Sequence, residues 1–118
     1  MYHAAYIDFF ARARNEWART IGFGISEQNQ RGICLVVHEI SATYHKPAKL
    51  DDLVEIETTL ITASRIKILF HQKLYRTDPQ SHLKSLLAEA QVSVVCVDQE
   101  SLQVKRLSQE DLALLHST

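Results

Sequence analysis

At 118 residues, 46% hydrophobic and 23% charged, the chain has material for one domain with a real core and too little length for two. A formal net charge of −1 leaves no electrostatic footprint for nucleic acid, so the Lys and Arg residues read as solvated surface. No apolar run reaches the roughly 20 residues that span a bilayer, and no signal peptide precedes the first helix, so a cytoplasmic protein without an integral membrane segment is expected.

The first predicted element is the only long helix, Ala5 to Ile21. Apolar residues at Tyr6, Phe10, Ala13, Trp17 and Ile21 recur at spacings of three and four, with Ile7 and Ala18 widening the stripe. Gly22 stands where a helix commonly ends on a left-handed residue. Ser26 is the expected cap of a short helical turn. Gly22, Gly24 and Gly32, the only glycines, form neither a dinucleotide-binding nor a P-loop spacing.

Four strands follow. Ile33 to Tyr44 is expected to put Ile33, Leu35 and Val37 on one face and Cys34, Val36, Ile40 and Tyr44 on the other. Pro47 ends it, and Asp51-Asp52 marks a turn. Leu53 to Thr62 alternates, with Val54, Ile56 and Leu60 opposite Glu55, Glu57 and Thr59. Ile66 to Arg76 sets Ile66, Ile68, Phe70 and Leu74 against Lys67, His71, Lys73 and Tyr75. After a turn at Asp78-Pro79-Gln80-Ser81, Leu86 to Asp98 carries Ala88, Ala90, Val92, Val94 and Cys96 on one face. Gln99-Glu100-Ser101 turns again, and Ser108 is placed to cap a last short helix with Leu112 and Leu115 on its apolar side. Cys34 and Cys96 sit inside apolar runs and read as buried free thiols of a reducing compartment, not as nucleophiles.

One apolar helix among long antiparallel strands predicts an α+β domain spanning residues 1–118, a curved sheet wrapped around the helix. Leu69, Val95 and Val97 are apolar on the face away from the helix, which predicts a second subunit or an appended edge there rather than plain solvent.

Three blocks carry a resemblance. YHAAYIDFFARAR resembles the YHAxYxxFxExAR segment of the 4-hydroxybenzoyl-CoA thioesterase family, TYHKPAKLDDLVEIET resembles YxxPAxLDDxLxIxT, and AEAQVSVVCVD resembles AxVxVVCVD. They lie in order over nearly the whole chain and are similar above all to the acyl-CoA thioesterases associated with the Tol-Pal cell-envelope system. The resemblance implies the hot-dog fold, a homodimer or homotetramer, and hydrolysis of acyl-CoA thioesters without metal or organic cofactor. It further implies that the thioester carbonyl meets backbone N–H groups at the helix N-terminus, and that a carboxylate attacks it or activates water. The CoA would lie along an inter-subunit groove.

Two departures bear on this. The family's catalytic Asp falls about seven residues before the His that matches His3, and the chain starts two residues before it, so an upstream first strand carrying the Asp is expected, with Met1 an internal methionine. The family's helix Glu is matched by Ala11. His3 is then the candidate that polarises or orients the thioester. Asp8 is read both as a first-turn charge favoured by the helix dipole and as a substitute base. Tyr2 and Tyr6 are candidate pocket residues, core packing being the competing role for Tyr6, and Glu16 reads as an ion-pair or solvated residue. Ser64, Arg65 and Lys67 fall where related chains turn beside the CoA groove, Arg65 and Lys67 as phosphate donors or as plain surface. The His spacings, including His38, His45, His71, His82 and His116, match no zinc motif.

A non-catalytic module binding acyl-CoA or acyl carrier protein is the alternative from another class, favoured by the missing Asp. A dehydratase on the same fold is the third reading, and no matching His and acidic pair is found.

Overall fold

Helical periodicity and a left-handed stop define the first element. In the computed structural model, which describes residues 3–46 and 53–116 with side chains from residue 6, α1 spans His3–Thr20. Met1, Tyr2, the strand end at Pro47 and the Asp51-Asp52 turn lie outside the described residues. Gly22 has φ +79°, the Phe23 N–H donates to the Ala18 carbonyl at 2.9 Å, and the Gly22 N–H donates to the Arg19 carbonyl at 3.2 Å. These crossed bonds satisfy the last carbonyls of the helix. The helix begins two residues before the expected Ala5, so Asp8 falls beyond the first turn rather than in it.

Tyr6, Phe10 and Ala18 are buried, and Trp17 and Ile21 pack half-buried against the same core. Ile7, expected on the stripe, is 38% exposed, because one step of about 100° carries it past the buried arc. The next helix, α2, spans Ile25–Gln30. Its N-cap is Gly24, which makes no side-chain cap bond, so Ser26 lies inside the helix and is not its cap.

The strands are β1 (Ile33–Tyr44), β2 (Leu53–Ala63), β3 (Lys67–Thr77) and β4 (Lys84–Asp98). They form one antiparallel sheet in the order β1-β4-β3-β2, leaving β1 and β2 at its edges. Central β4 supplies Leu87, Ala88 and Val92 at 0% exposure, joined in one cluster by Phe10, Ile68, Phe70 and Leu74. The Trp17 and Phe70 rings meet edge to face, 5.2 Å between centroids.

Three irregularities bend the sheet. One is on β4, where Leu74 lies opposite Ala88 and Tyr75 opposite Leu86, so that Leu87 is an extra residue. On β1 the register jumps between Val37, opposite Val94, and Glu39, opposite Ser93, so His38 is an extra residue. On β2 a similar jump lies between Leu60 and Thr62. Each inserted residue reverses which parity faces the core. Ile40 and Tyr44 therefore join Leu35 and Ile33 against the core, which corrects the expected pairing of Ile40 and Tyr44 with Cys34 and Val36. On β3, Ile66 precedes the strand and is 41% exposed, whereas polar Gln72 is fully buried on the inner face.

The C-terminal stretch folds back over the end of β4. Val97 bridges Val104, and the Lys105 N–H donates to the Cys96 carbonyl at 3.0 Å. Val97 is thus 5% exposed under an edge that its own chain appends, the second of the two coverings expected for this face. Helix α3 spans Gln109–His116, capped by the Ser108 hydroxyl, which accepts from the Asp111 N–H at 3.1 Å. Asp111, buried, pairs with Arg31 Nε at 2.5 Å and so ties α3 to the end of α2.

Phe10→Ala is expected to leave a cavity costing about 3–5 kcal/mol, against less than about 0.5 kcal/mol for Ile7→Ala. Urea unfolding of both variants checks this, and equal losses would mean that the buried arc of α1 is misassigned.

Candidate active site

The first turn of a helix has backbone N–H groups with no helical partner, and in α1 that turn starts at His3. The mouth it forms lies over the end of the sheet where β1 finishes. There the Tyr6 and Tyr44 rings pack at 5.0 Å and 56°. Tyr6 is 5% exposed, so most of its ring serves the core. Burial, and then the neighbouring Tyr6, holds the Tyr44 phenol above its ordinary pKa. Tyr44 escaped the sequence reading because the bulge at His38 put it on an unexpected face. Asp8 is exposed, about 7 Å along the helix axis from His3 and roughly 140° around it. Glu16 forms an exposed pair with Arg19 at 2.8 Å.

The other candidates sit elsewhere. Ser64 closes the β2–β3 hairpin: its hydroxyl accepts from the Lys67 N–H at 3.1 Å and its backbone N–H donates to the Lys67 carbonyl at 2.8 Å. Arg65 Nε donates to the Leu107 carbonyl at 2.9 Å, which ties this side chain to the C-terminal segment. Lys67 is exposed and borders, with Ser64, a hollow of about 400 Å³ on the outer face of the sheet. The hollow's floor includes Ser93, whose buried hydroxyl makes no hydrogen bond.

Strand register measures the separation. Tyr44 lies opposite Ala88, and Lys67 lies opposite Val95 on the same strand. At about 3.3 Å per residue, the helix mouth and the hairpin turn are roughly 23 Å apart, at opposite ends of the sheet. The structure thus brings Tyr6 to the mouth where α1 begins, and brings Ser64, Arg65 and Lys67 together, but it does not join the two groups within one chain.

Among the described residues, no group of three His, Cys, Asp or Glu side chains is arranged to hold a metal ion. Glu89 lies 3.2 Å from His45 Nε2 and 3.5 Å from His71 Nε2, and the His45 hydrogen bond holds its carboxyl below the usual pKa. Cys96 lies in the core, and burial pushes its thiol up to about 11, which removes it as a nucleophile near neutral pH.

Behind the mouth, α1 is fixed to the sheet by one amide. Gln72 Nε2 donates to the Phe10 carbonyl at 2.9 Å and to Thr58 Oγ1 at 3.1 Å, while its Oε1 accepts from Arg14 Nη1 at 2.9 Å. The alternation of β3 already puts Gln72 on the face of Ile68, Phe70 and Leu74; what it does not show is the set of partners on α1 and β2 that lets an amide sit there.

A model of the thioesterase-like superfamily matches residues 1–115. The acyl-CoA thioester hydrolase YbgC of Escherichia coli O157:H7 is 32% identical over 113 residues, covering 96% of this chain and 81% of the relative. The acyl-CoA thioesterase YbgC of Haemophilus influenzae is 35% identical over 119 residues, covering 98% and 82%. Among solved structures, 4-hydroxybenzoyl-CoA thioesterase from Pseudomonas sp. strain CBS-3 superposes with a TM-score of 0.85 at 21% identity, covering 97% of this chain and 85% of that one. That likeness carries the hot-dog fold.

Replacing Gln72 by Leu is expected to cost about 1–3 kcal/mol, because Arg14 Nη1 and Thr58 Oγ1 lose their partner and cannot all reach water. Thermal and urea unfolding of Gln72→Leu check it; a neutral result would mean that the network relaxes at no cost.

Proposed function

The chain belongs to the thioesterase-like superfamily, and we propose that it hydrolyses acyl-CoA thioesters at the mouth of α1. The observation that carries this reading is a helix that starts at His3, inside the segment 2–14 on which the resemblance rests in part, in a chain 32% and 35% identical to relatives named acyl-CoA thioester hydrolase and acyl-CoA thioesterase. The first-turn N–H groups and the positive end of the helix dipole suit the oxyanion that develops as water adds to the thioester carbonyl. A base takes the proton of that water, the C–S bond breaks, and a carboxylic acid and the CoA thiol leave. His3 would orient or polarise the carbonyl, and Asp8 is the candidate base on α1. Tyr2 and Tyr6 would line the acyl end; Ser64, Arg65 and Lys67 would meet the nucleotide phosphates. Thioesters of acyl carrier protein present the same reacting group. No described helix is long and apolar enough to cross a membrane, and the cytoplasm, where CoA esters are made, is the proposed site of action.

The active unit in this reading is a homo-oligomer whose site is shared between two copies. The roughly 23 Å between the mouth and the phosphate-binding turn supports it. So does β1, a twelve-residue edge strand with Val36 and Val37 38% and 49% exposed and no proline to blunt it. A two-fold copy laid antiparallel along that edge carries its own hairpin turn to the end where the first copy's helix mouth lies. A homodimer satisfies this; a homotetramer would repeat it.

Thiol release from acetyl-, octanoyl-, palmitoyl- and benzoyl-CoA tests the reaction, and no release from any of them would sink it. His3→Ala is expected to lose about 10²–10⁴-fold in rate, and Lys67→Glu is expected to lose CoA binding. Co-refolded in equal amounts, the two inactive variants should regain about a quarter of wild-type turnover, since half the dimers then hold one intact site. No recovery would place the whole site in one copy.

A further inference from the structure

Between α1, α2 and the inner face of the sheet lies a cavity of about 290 Å³. Trp17, Phe23, Leu35, Phe70, Val94 and Leu115 make most of its wall apolar, and Asn15, Gln28 and Asn29 are its neutral polar members. Its one charged lining residue is Arg14, and no Asp or Glu is among the described residues around it. Arg14 is half-buried, and burial alone moves its pKa, downward. One of its five N–H donors is given to Gln72. Gln72 is in turn fixed by the Phe10 carbonyl and Thr58, so the guanidinium is held in place rather than free to swing to water. A half-buried cation without a counter-charge is costly, and such groups are ordinarily paired.

We propose that this cavity is a binding site for a monocarboxylic acid with an apolar body, the carboxylate on Arg14 and the alkyl chain or ring among Trp17, Phe23 and Phe70. Charge complementarity selects the head, because a guanidinium meets a carboxylate through two parallel hydrogen bonds. The apolar walls select the tail, and the volume limits it to a single ring or a short to medium alkyl chain. Arg14 lies about 16 Å down the helix from His3, so this seat is separate from the mouth where the carbonyl would react. On the thioesterase reading, the ligand of this class that the protein itself generates is the free acid released by hydrolysis. The site is then a place where product is retained or acts back on the enzyme.

Trp17 is the single tryptophan of the chain and lines the cavity, so its fluorescence reports occupancy without a label. The full chain is titrated with octanoate and, separately, with octanol, with no thioester present. Octanoate should change Trp17 emission saturably and bind at least about tenfold more tightly than octanol, the margin expected of a charge-assisted hydrogen bond. Arg14→Met should bring the two ligands level, and Arg14→Lys should restore part of the difference. Equal binding of octanoate and octanol, no saturable change with octanoate, or a preference for octanoate that survives in Arg14→Met would each overturn the assignment. The comparison of the two ligands on the unaltered protein stands even if Arg14→Met does not fold. Because thiol release is measured separately, a protein that hydrolyses thioesters without binding octanoate refutes this site alone.

Discussion

Phe10 on α1 shares one cluster with Ile68, Phe70 and Leu74 of β3 and with Ala88 and Val92 of β4, almost all of them without exposed surface. Each large side chain so buried contributes about 1.5–3 kcal/mol, and among the described residues the sheet has only one long helix with which to make these contacts. The length of the strands follows from the helix. An eighteen-residue rod of about 27 Å needs strands of eleven to fifteen residues to cover it, and the extra residues at His38, Ile61 and Leu87 bend the sheet that packs on it.

Apolar packing alone would let α1 slide or rotate on this surface. The Gln72 amide removes that freedom, because it bonds a backbone carbonyl of α1, a side chain of α1 and a hydroxyl of β2 at once. A buried polar group of this kind is stabilising only when all its partners are in register. It thereby fixes where the helix mouth stands relative to the end of the sheet, and it also holds Arg14, a residue that lines the inner cavity.

Much of this was legible in the residues. The spacing of Tyr6, Phe10 and Trp17 marked the helix face, Gly22 marked its end, and strict alternation from Val54 to Leu60 placed β2 to within a residue. The misplaced faces on β1 have one cause: period-two reasoning assumes an unbroken ladder. At His38 the ladder gains a residue, and every later side chain of β1 changes face, which hid Tyr44. Gln72 was missed for another reason. A polar residue at an inward position looks like an interruption of the pattern until the helix that supplies its partners is in place. Nor does a sequence position show that Arg65 is bonded to Leu107, forty-two residues on, or that Val97 is covered by Val104.

The topology imposes one further constraint on any chemistry at the helix mouth. Because α1 starts over the end of the sheet where β1 finishes, and because β2 and β3 are joined by a tight hairpin after eleven residues each, the hairpin turn must lie at the far end. Extending the hairpin would move the turn farther away, and shortening it would uncover the core beneath α1. A single copy therefore cannot bring a mouth-bound carbonyl close to the cations of the turn without giving up the packing that defines the fold. An antiparallel second copy reverses the direction of the sheet at no such cost. The edge that β1 presents among the described residues and the separation of the two candidate clusters are then two consequences of the same geometry, and the shared site proposed above would answer both.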